Sequence, residues 1–252
     1  MRIDSHQHFT PEFSPQLLYP ILKRNRFDAT VMVGRADLLI CASAEFIKAF
    51  VIETDLAAPG LPGLLDELQR HPKFRGVCYA FDGDTLPAGL SELSRRDLTL
   101  DLPPRPELVP AIAAHFPSLR IALDHVGRPS LMTRPFDEWA RDLEIAAQHP
   151  RLAAKISGLI SDAPTRWHAD QFRPAVRHTL RTLGPDRVMY GSDWPNSDQW
   201  AEYPKVINIV REFFKTKPRS VAEKYFWKNS VAAYRWAKRE PSQPALAASR
   251  RA

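Results

Sequence analysis

The chain has 252 residues, 44% hydrophobic and 25% charged, which is ordinary globular composition and excludes a disordered or fibrous chain. The length fits a single α/β barrel, a fold that takes about 200–250 residues. A formal net charge of +6 and a sequence pI of about 9.4 would suit an anionic partner, but much of the excess lies on late amphipathic segments with no nucleic-acid signature, so nucleic acid is not an expected partner.

Two cysteines, Cys41 and Cys78, give no disulfide framework and fit a reducing compartment. The N-terminal MRIDSHQHF carries no apolar leader, and no apolar run reaches the roughly 18 residues of a membrane span. The expectation is a soluble cytoplasmic protein with no membrane partner.

Taken in chain order, eight apolar segments read as strands: residues 1–8, Ala29–Val33, Ile47–Ile52, Arg75–Ala80, Leu98–Leu102, Leu119–Asp124, Leu152–Ser157 and Arg187–Gly191. Most are short apolar runs, as strands buried on both faces of a parallel sheet should be. Helical patterns lie between most of them: Pro62–Gln69, Pro106–His115, Phe136–Gln148, Phe172–Leu183 and Pro204–Lys215, with a closing helix over Glu223–Ala237. Pro72, Pro117, Pro150 and Pro185 each mark a joint where a helix stops and a strand begins, 33 to 45 residues apart. Eight such units predict a (β/α)8 barrel over residues 1–239, with a C-terminal helix packed on it and a tail at 240–252. A doubly wound sheet is the alternative, but no glycine-rich turn follows the first strand.

In such a barrel the chemistry sits at the C-terminal ends of the strands. The first strand ends in His6 and His8, whose spacing puts both side chains on one strand face. The sixth ends in Asp124-His125-Val126-Gly127-Arg128-Pro129, and the eighth in Tyr190-Gly191-Ser192-Asp193-Trp194-Pro195. Each residue alone has an ordinary explanation: His125 as a core histidine, Asp193 as a helix cap, Asp124 as a group orienting His125. Three imidazoles and a carboxylate converging on one barrel mouth point instead to a site. His71, His115, His149, His168 and His178 fall on helices or their ends and read as surface or capping residues.

DSHQHF, RGV of the fourth strand, LDHVGRP, KISGL and YGSDWP, in this order, resemble the amidohydrolase superfamily. They are most similar to its branch of sugar lactonases and 2-pyrone-4,6-dicarboxylate lactonases. The likeness covers residues 1–237 and includes the late WKNSVAAYRW, where Asn229 is expected to be structural. It implies a hydrolase that opens a lactone or related cyclic ester, anionic or polyhydroxylated, by attack of an activated water. Asp193 and His125 would be catalytic. His6, His8 and Asp193 would hold one divalent metal such as zinc, if metal is used; metal-free catalysis is the other version the branch implies. The bridging Lys or Glu that a binuclear centre needs is absent from Gly76-Val77-Cys78-Tyr79-Ala80. Arg128, whose planar fork matches a carboxylate, would contact substrate, and Tyr79 and Trp194 could line the pocket. Cys78 and Thr10 stand where many lactonases of the branch carry Arg and Trp, so the lactone itself is not specified. A metal-dependent non-oxidative decarboxylase and a non-catalytic anion-binding barrel are the competing readings. Sequence leaves the oligomeric state open.

Overall fold

The computed structural model describes residues 1–35 and 44–236; Cys41 and the predicted tail at 240–252 lie outside them. Eight parallel strands, β1 Ile3–Gln7, β2 Ala29–Gly34, β3 Ile47–Glu53, β4 Phe74–Cys78, β5 Thr99–Leu102, β6 Arg120–Leu123, β7 Leu152–Ile156 and β8 Val188–Tyr190, pair in sequence order. All eight fall on the predicted segments. The seam between β1 and β8 is closed by few backbone bonds, so the sheet curls into a nearly closed barrel. His8 N–H donates to Trp194 O at 2.7 Å, and Asp193 N–H donates to His6 O at 2.8 Å. The buried Asp4 carboxylate reinforces this seam by accepting the Ser192 N–H at 2.8 Å and the Tyr203 hydroxyl at 3.0 Å.

Apolar side chains form two layers. The larger packs the outer strand faces against the helices, with Leu22, Phe50, Leu65, Ile112, Leu143 and Phe214 among its members. The smaller fills the interior with Ile3, Val31, Val33 and the alanines 29, 49, 122 and 153. Small residues suit an eight-stranded barrel, whose interior is only wide enough for side chains. Tyr234 joins this inner layer.

Three local differences from the sequence reading have physical reasons. The helices Pro15–Arg24 and Gly89–Arg95 were not anticipated; the first carries Pro20 in its interior and the second is seven residues long, so neither gives a sustained period. The closing helix is three pieces, Arg219–Glu223, a π turn Lys224–Lys228 and Asn229–Tyr234. His149 and His178 are buried rather than superficial: His149 Nε2 is 2.9 Å from Leu119 O, and His178 packs beside Trp139. Buried Asn229 donates to Pro185 O at 2.8 Å and Val188 O at 2.7 Å, a structural role.

Candidate active site

The site begins with a defect in β1. Pairing with β2 shifts register between Asp4 and Gln7. In a regular strand Asp4 and His6 would share a face. Instead Asp4 turns to Tyr203, on the helix Tyr203–Lys215, while His6 turns to Lys155 of β7. The bulge re-aims His6, a recurrent use of bulges beside functional sites.

The loops after β6 and β8 are bent just as sharply. His125, Val126, Gly127 and Arg128 have φ of 51°, 52°, 71° and 56°, four left-handed residues in succession. Non-glycine residues held this way cost about 1–3 kcal/mol each and need support from their surroundings. Support comes from Arg128 N–H donating to His125 O at 2.7 Å and Trp139 Nε1–H donating to Val126 O at 2.8 Å. Asp193 is also left-handed, at φ 61°. Gly158 lets His125 approach: a Cβ there would lie 2.5 Å from His125 Nδ1. Gly191 does the same for His6, where a Cβ would lie 2.6 Å from the His6 Cβ.

These turns bring His6, His8, His125 and Asp193 together. The His6 ring lies 4.8 Å from that of His8 and 4.9 Å from that of His125. Asp193 Oδ1 is 3.4 Å from His8 Nε2 and 3.8 Å from His6 Nε2, and accepts the Asn196 amide at 3.1 Å. Burial alone would raise the Asp193 carboxyl, but the hydrogen bond from His8 and the neighbouring His125 and His6 hold it well below the usual carboxylate range. It is ionised at neutral pH. Burial also opposes charging His8, yet Asp193 and the Val33 carbonyl outweigh it and raise its pKa. Burial lowers His125, so this imidazole is neutral.

Beneath the histidines lies a buried charge cluster that the sequence reading missed. Lys155 Nζ contacts Asp101 Oδ2 at 2.5 Å, Asp124 Oδ1 at 2.7 Å and His6 Nδ1 at 2.9 Å. Lys155 and Asp101 have no exposed side-chain surface. Tyr234 donates from below to Asp101 at 2.9 Å. Burial disfavours the ammonium, but the two carboxylates outweigh it and raise Lys155 well above its ordinary value. Asp124 is held low: burial opposes its charge, but Lys155 and His6 prevail. Burial pushes Asp101 up.

This cluster fixes the His6 tautomer. An ammonium has only protons to offer. His6 Nδ1 lies 2.9 Å from Lys155 Nζ and 3.3 Å from Asp124 Oδ1; accepting the shorter contact from the ammonium leaves the ring proton on Nε2, facing the site. Burial and the Lys155 charge lower the His6 pKa to about 3, so the ring stays neutral. His8 is oriented by the other nitrogen: its Nδ1 is 2.8 Å from Val33 O, which can only accept. His125 Nδ1 is 3.0 Å from Ser157 Oγ.

The other residues singled out from sequence are placed differently. Arg128 is exposed, close enough for its charge to act on His125. Tyr79 is half-buried against Phe81, with ring centroids 4.9 Å apart. Trp194 is 2% exposed and packs edge-on against Phe9 and Phe13, at 6.3 and 5.6 Å; its indole belongs to the core, and its backbone closes the barrel. The missed Lys155 and Asp101 did leave a signal. Each is a lone charge inside an apolar strand, LAAKI and TLDL, where burial demands a partner.

His6, His125 and Asp193 each offer a ligand atom within 4.8 Å of the others. Two imidazoles and a carboxylate are a zinc-type donor set, and His6 Nε2 is buried without a hydrogen-bond partner. The residues therefore fit a divalent ion. This set has His125 where the sequence reading had His8.

The amidohydrolase family profile matches residues 89–236. An L-fucono-1,5-lactonase of Burkholderia ambifaria is 30% identical over 236 residues, covering 78% of this chain and 81% of its own. One from Burkholderia multivorans is 27% identical over 298 residues, covering 98% and 99%. A crystal structure of a Burkholderia multivorans amidohydrolase with bound zinc superposes with a TM-score of 0.84 at 25% identity, covering 93% of this chain and 99% of the other. With the barrel, the ordered motifs and these matches together, the chain belongs to the amidohydrolase family.

Proposed function

We propose that this protein is a lactone hydrolase acting at the mouth of the barrel. The observation that carries the reading is an ionised, buried carboxylate, Asp193, at the focus of three imidazoles. The curated L-fucono-1,5-lactonases support the substrate class, and a sugar lactone is the first substrate to try.

Ring opening needs a water made nucleophilic, a polarised carbonyl and a proton returned to the leaving oxygen. Asp193 accepts the water's proton as it attacks and returns it to the ring oxygen as the acyl bond breaks. His6 Nε2–H donates to the carbonyl oxygen as negative charge gathers there; a fixed donor inside a buried site needs no reorganisation. Lys155 holds that donor in place. Neutral His125 stands beside His6, with ring centroids 4.9 Å apart, and the exposed Arg128 suits a carboxylate-bearing substrate.

A divalent metal held by His6, His125 and Asp193, with His8 beside them, would act as a Lewis acid and lower the pKa of a bound water. Ligation through His6 Nε2 would use the neutral ring with its proton moved to Nδ1, beside Lys155 and Asp124. Zinc titration by calorimetry should show binding that weakens in His6→Gln.

The functional test is a pH-indicator screen of sugar 1,5-lactones, sugar 1,4-lactones and pyrone dicarboxylates, with metal content measured on the same protein. Acid release at enzymatic rates is expected. Absence of ring opening across all three classes would sink the proposal; release of CO2 from an aromatic acid would replace it with decarboxylation.

A further inference from the structure

The opposite end of the barrel carries a second polar cavity. About 620 Å³ in volume, it lies among the residues before β1, the end of the helix Pro15–Arg24, the end of the helix Tyr203–Lys215 and the segment Arg219–Phe226. Strands start here and helices finish, so this is the N-terminal face, away from His6 and Asp193.

Its wall is unusually cationic. Arg2, Arg24, Arg26, Arg211, Lys215 and Arg219 line it, against Glu223 as the lining carboxylate. Glu223 is already taken, at 2.8 Å by Arg219 and 3.1 Å by Lys228. Lys215 pairs with Glu212 at 2.6 Å. Asp28, the acid beside Arg2, takes the Arg2 backbone N–H at 2.8 Å. Among the described residues Arg2, Arg24, Arg26 and Arg211 form no ion pair. Arg211 Nε is buried with no hydrogen-bond acceptor, although a buried donor ordinarily finds one. The Arg2 guanidinium lies 5.1 Å from the Phe226 ring centroid, which fixes it at the wall. Burial, then the like charges of Arg211 and Arg26, lower the Arg2 pKa against a smaller opposing pull from Asp28, so these cations repel one another.

Arg2 and Arg211 are partly buried at this wall, and Arg24 and Arg26 are exposed. We propose that this cavity is a binding site for a small polyanion carrying two or more phosphate or carboxylate groups, separate from the catalytic mouth. Four guanidiniums without carboxylate partners present forked donors that match such groups. The volume lies within the range of small-molecule sites, about 300–1,000 Å³. Arg211 supplies the central contact, with Arg2, Arg24 and Arg26 around the opening.

The test is titration calorimetry of the full-length chain with sodium pyrophosphate and, separately, trisodium citrate, against sodium chloride at equal ionic strength. One-to-one saturation by at least one polyanion is expected. Pyrophosphate alone would identify a phosphate ligand, and both together a site that reads charge. Arg211→Gln should weaken binding at least tenfold and Arg24→Gln severalfold, while both keep the wild-type circular dichroism spectrum and melting transition. Arg128→Gln, at the other mouth, should bind as wild type does. No saturable binding of either polyanion would overturn the proposal. So would binding that survives in both Arg211→Gln and Arg24→Gln, or that is lost in Arg128→Gln. Tight binding of a single-stranded oligonucleotide with neither polyanion bound would also overturn it, and would make the face a nucleic-acid surface.

Discussion

The two ends of the barrel treat charge in opposite ways. Under the mouth, Lys155 is enclosed by Asp101, Asp124 and His6, and every charge has a partner within 3 Å or so of it. At the floor, four arginines face a cavity without carboxylate partners among the described residues. A buried, paired cluster is stiff and sets the orientation of whatever touches it. An unpaired cluster open to solvent is a place for something to arrive. The mouth is thus built for fixed geometry and the floor for capture, and substitutions at the two ends should have different consequences.

The largest effect belongs to Asp193. Asp193→Asn keeps the shape but removes the base, and turnover of whichever lactone the wild type opens should fall by about a thousandfold or more, measured by the indicator assay on protein with an unchanged melting transition. Next is Lys155→Met, which leaves two buried carboxylates without their cation. Denaturant unfolding should show a loss of about 3–5 kcal/mol. Adding Asp101→Asn should recover part of that stability without recovering kcat, because the His6 proton is no longer held on Nε2. Recovery of both would make Lys155 a structural residue only.

Smaller displacements come third. Gly158→Ala places a methyl 2.5 Å from His125 Nδ1, and a shift of that ring should reduce kcat by about 10- to 100-fold in a protein that still folds. A change confined to KM would contradict a positioning role. Asp4 gives a pH signature at the seam. Burial pushes its carboxyl up to about 6, against donors on Ser192, His6 and Tyr203 that pull it down. The folded protein therefore keeps a proton that the unfolded chain sheds near 3.8. That contribution is complete below the lower value and is lost as pH rises through the upper one. Relative to Asp4→Asn, the wild type should lose at most about 3 kcal/mol between pH 4 and 7, read from paired unfolding curves. Least affected is Arg211→Gln at the floor, which should leave kcat unchanged and stability within about 0.5 kcal/mol.

The mouth and the strands were legible in the sequence because they obey simple rules. Strands buried on both faces are apolar runs between prolines, and barrel chemistry sits at strand ends, so His6, His8, His125 and Asp193 could be named together. Their support was only partly legible. The bulge that turns His6 inward has no residue signature in IDSHQ. Lys155 pairs with Asp101 from 54 positions away, a partnership that only the closed barrel reveals. Trp194, which sequence placed near substrate, closes the seam instead, because an aromatic beside a site motif looks the same whether it faces ligand or core. The arginines of the floor come from three distant segments, and in sequence they were indistinguishable from a solvated surface.

The central claim is that an activated water attacks the acyl carbon of a lactone at the mouth. The most direct test is to run the reaction of the best lactone to a single turnover in ¹⁸O-water and analyse the product by mass spectrometry. One ¹⁸O in the new carboxylate, with none in the hydroxyl, is the predicted result. Label in the hydroxyl, or a product that has lost CO2, would contradict it.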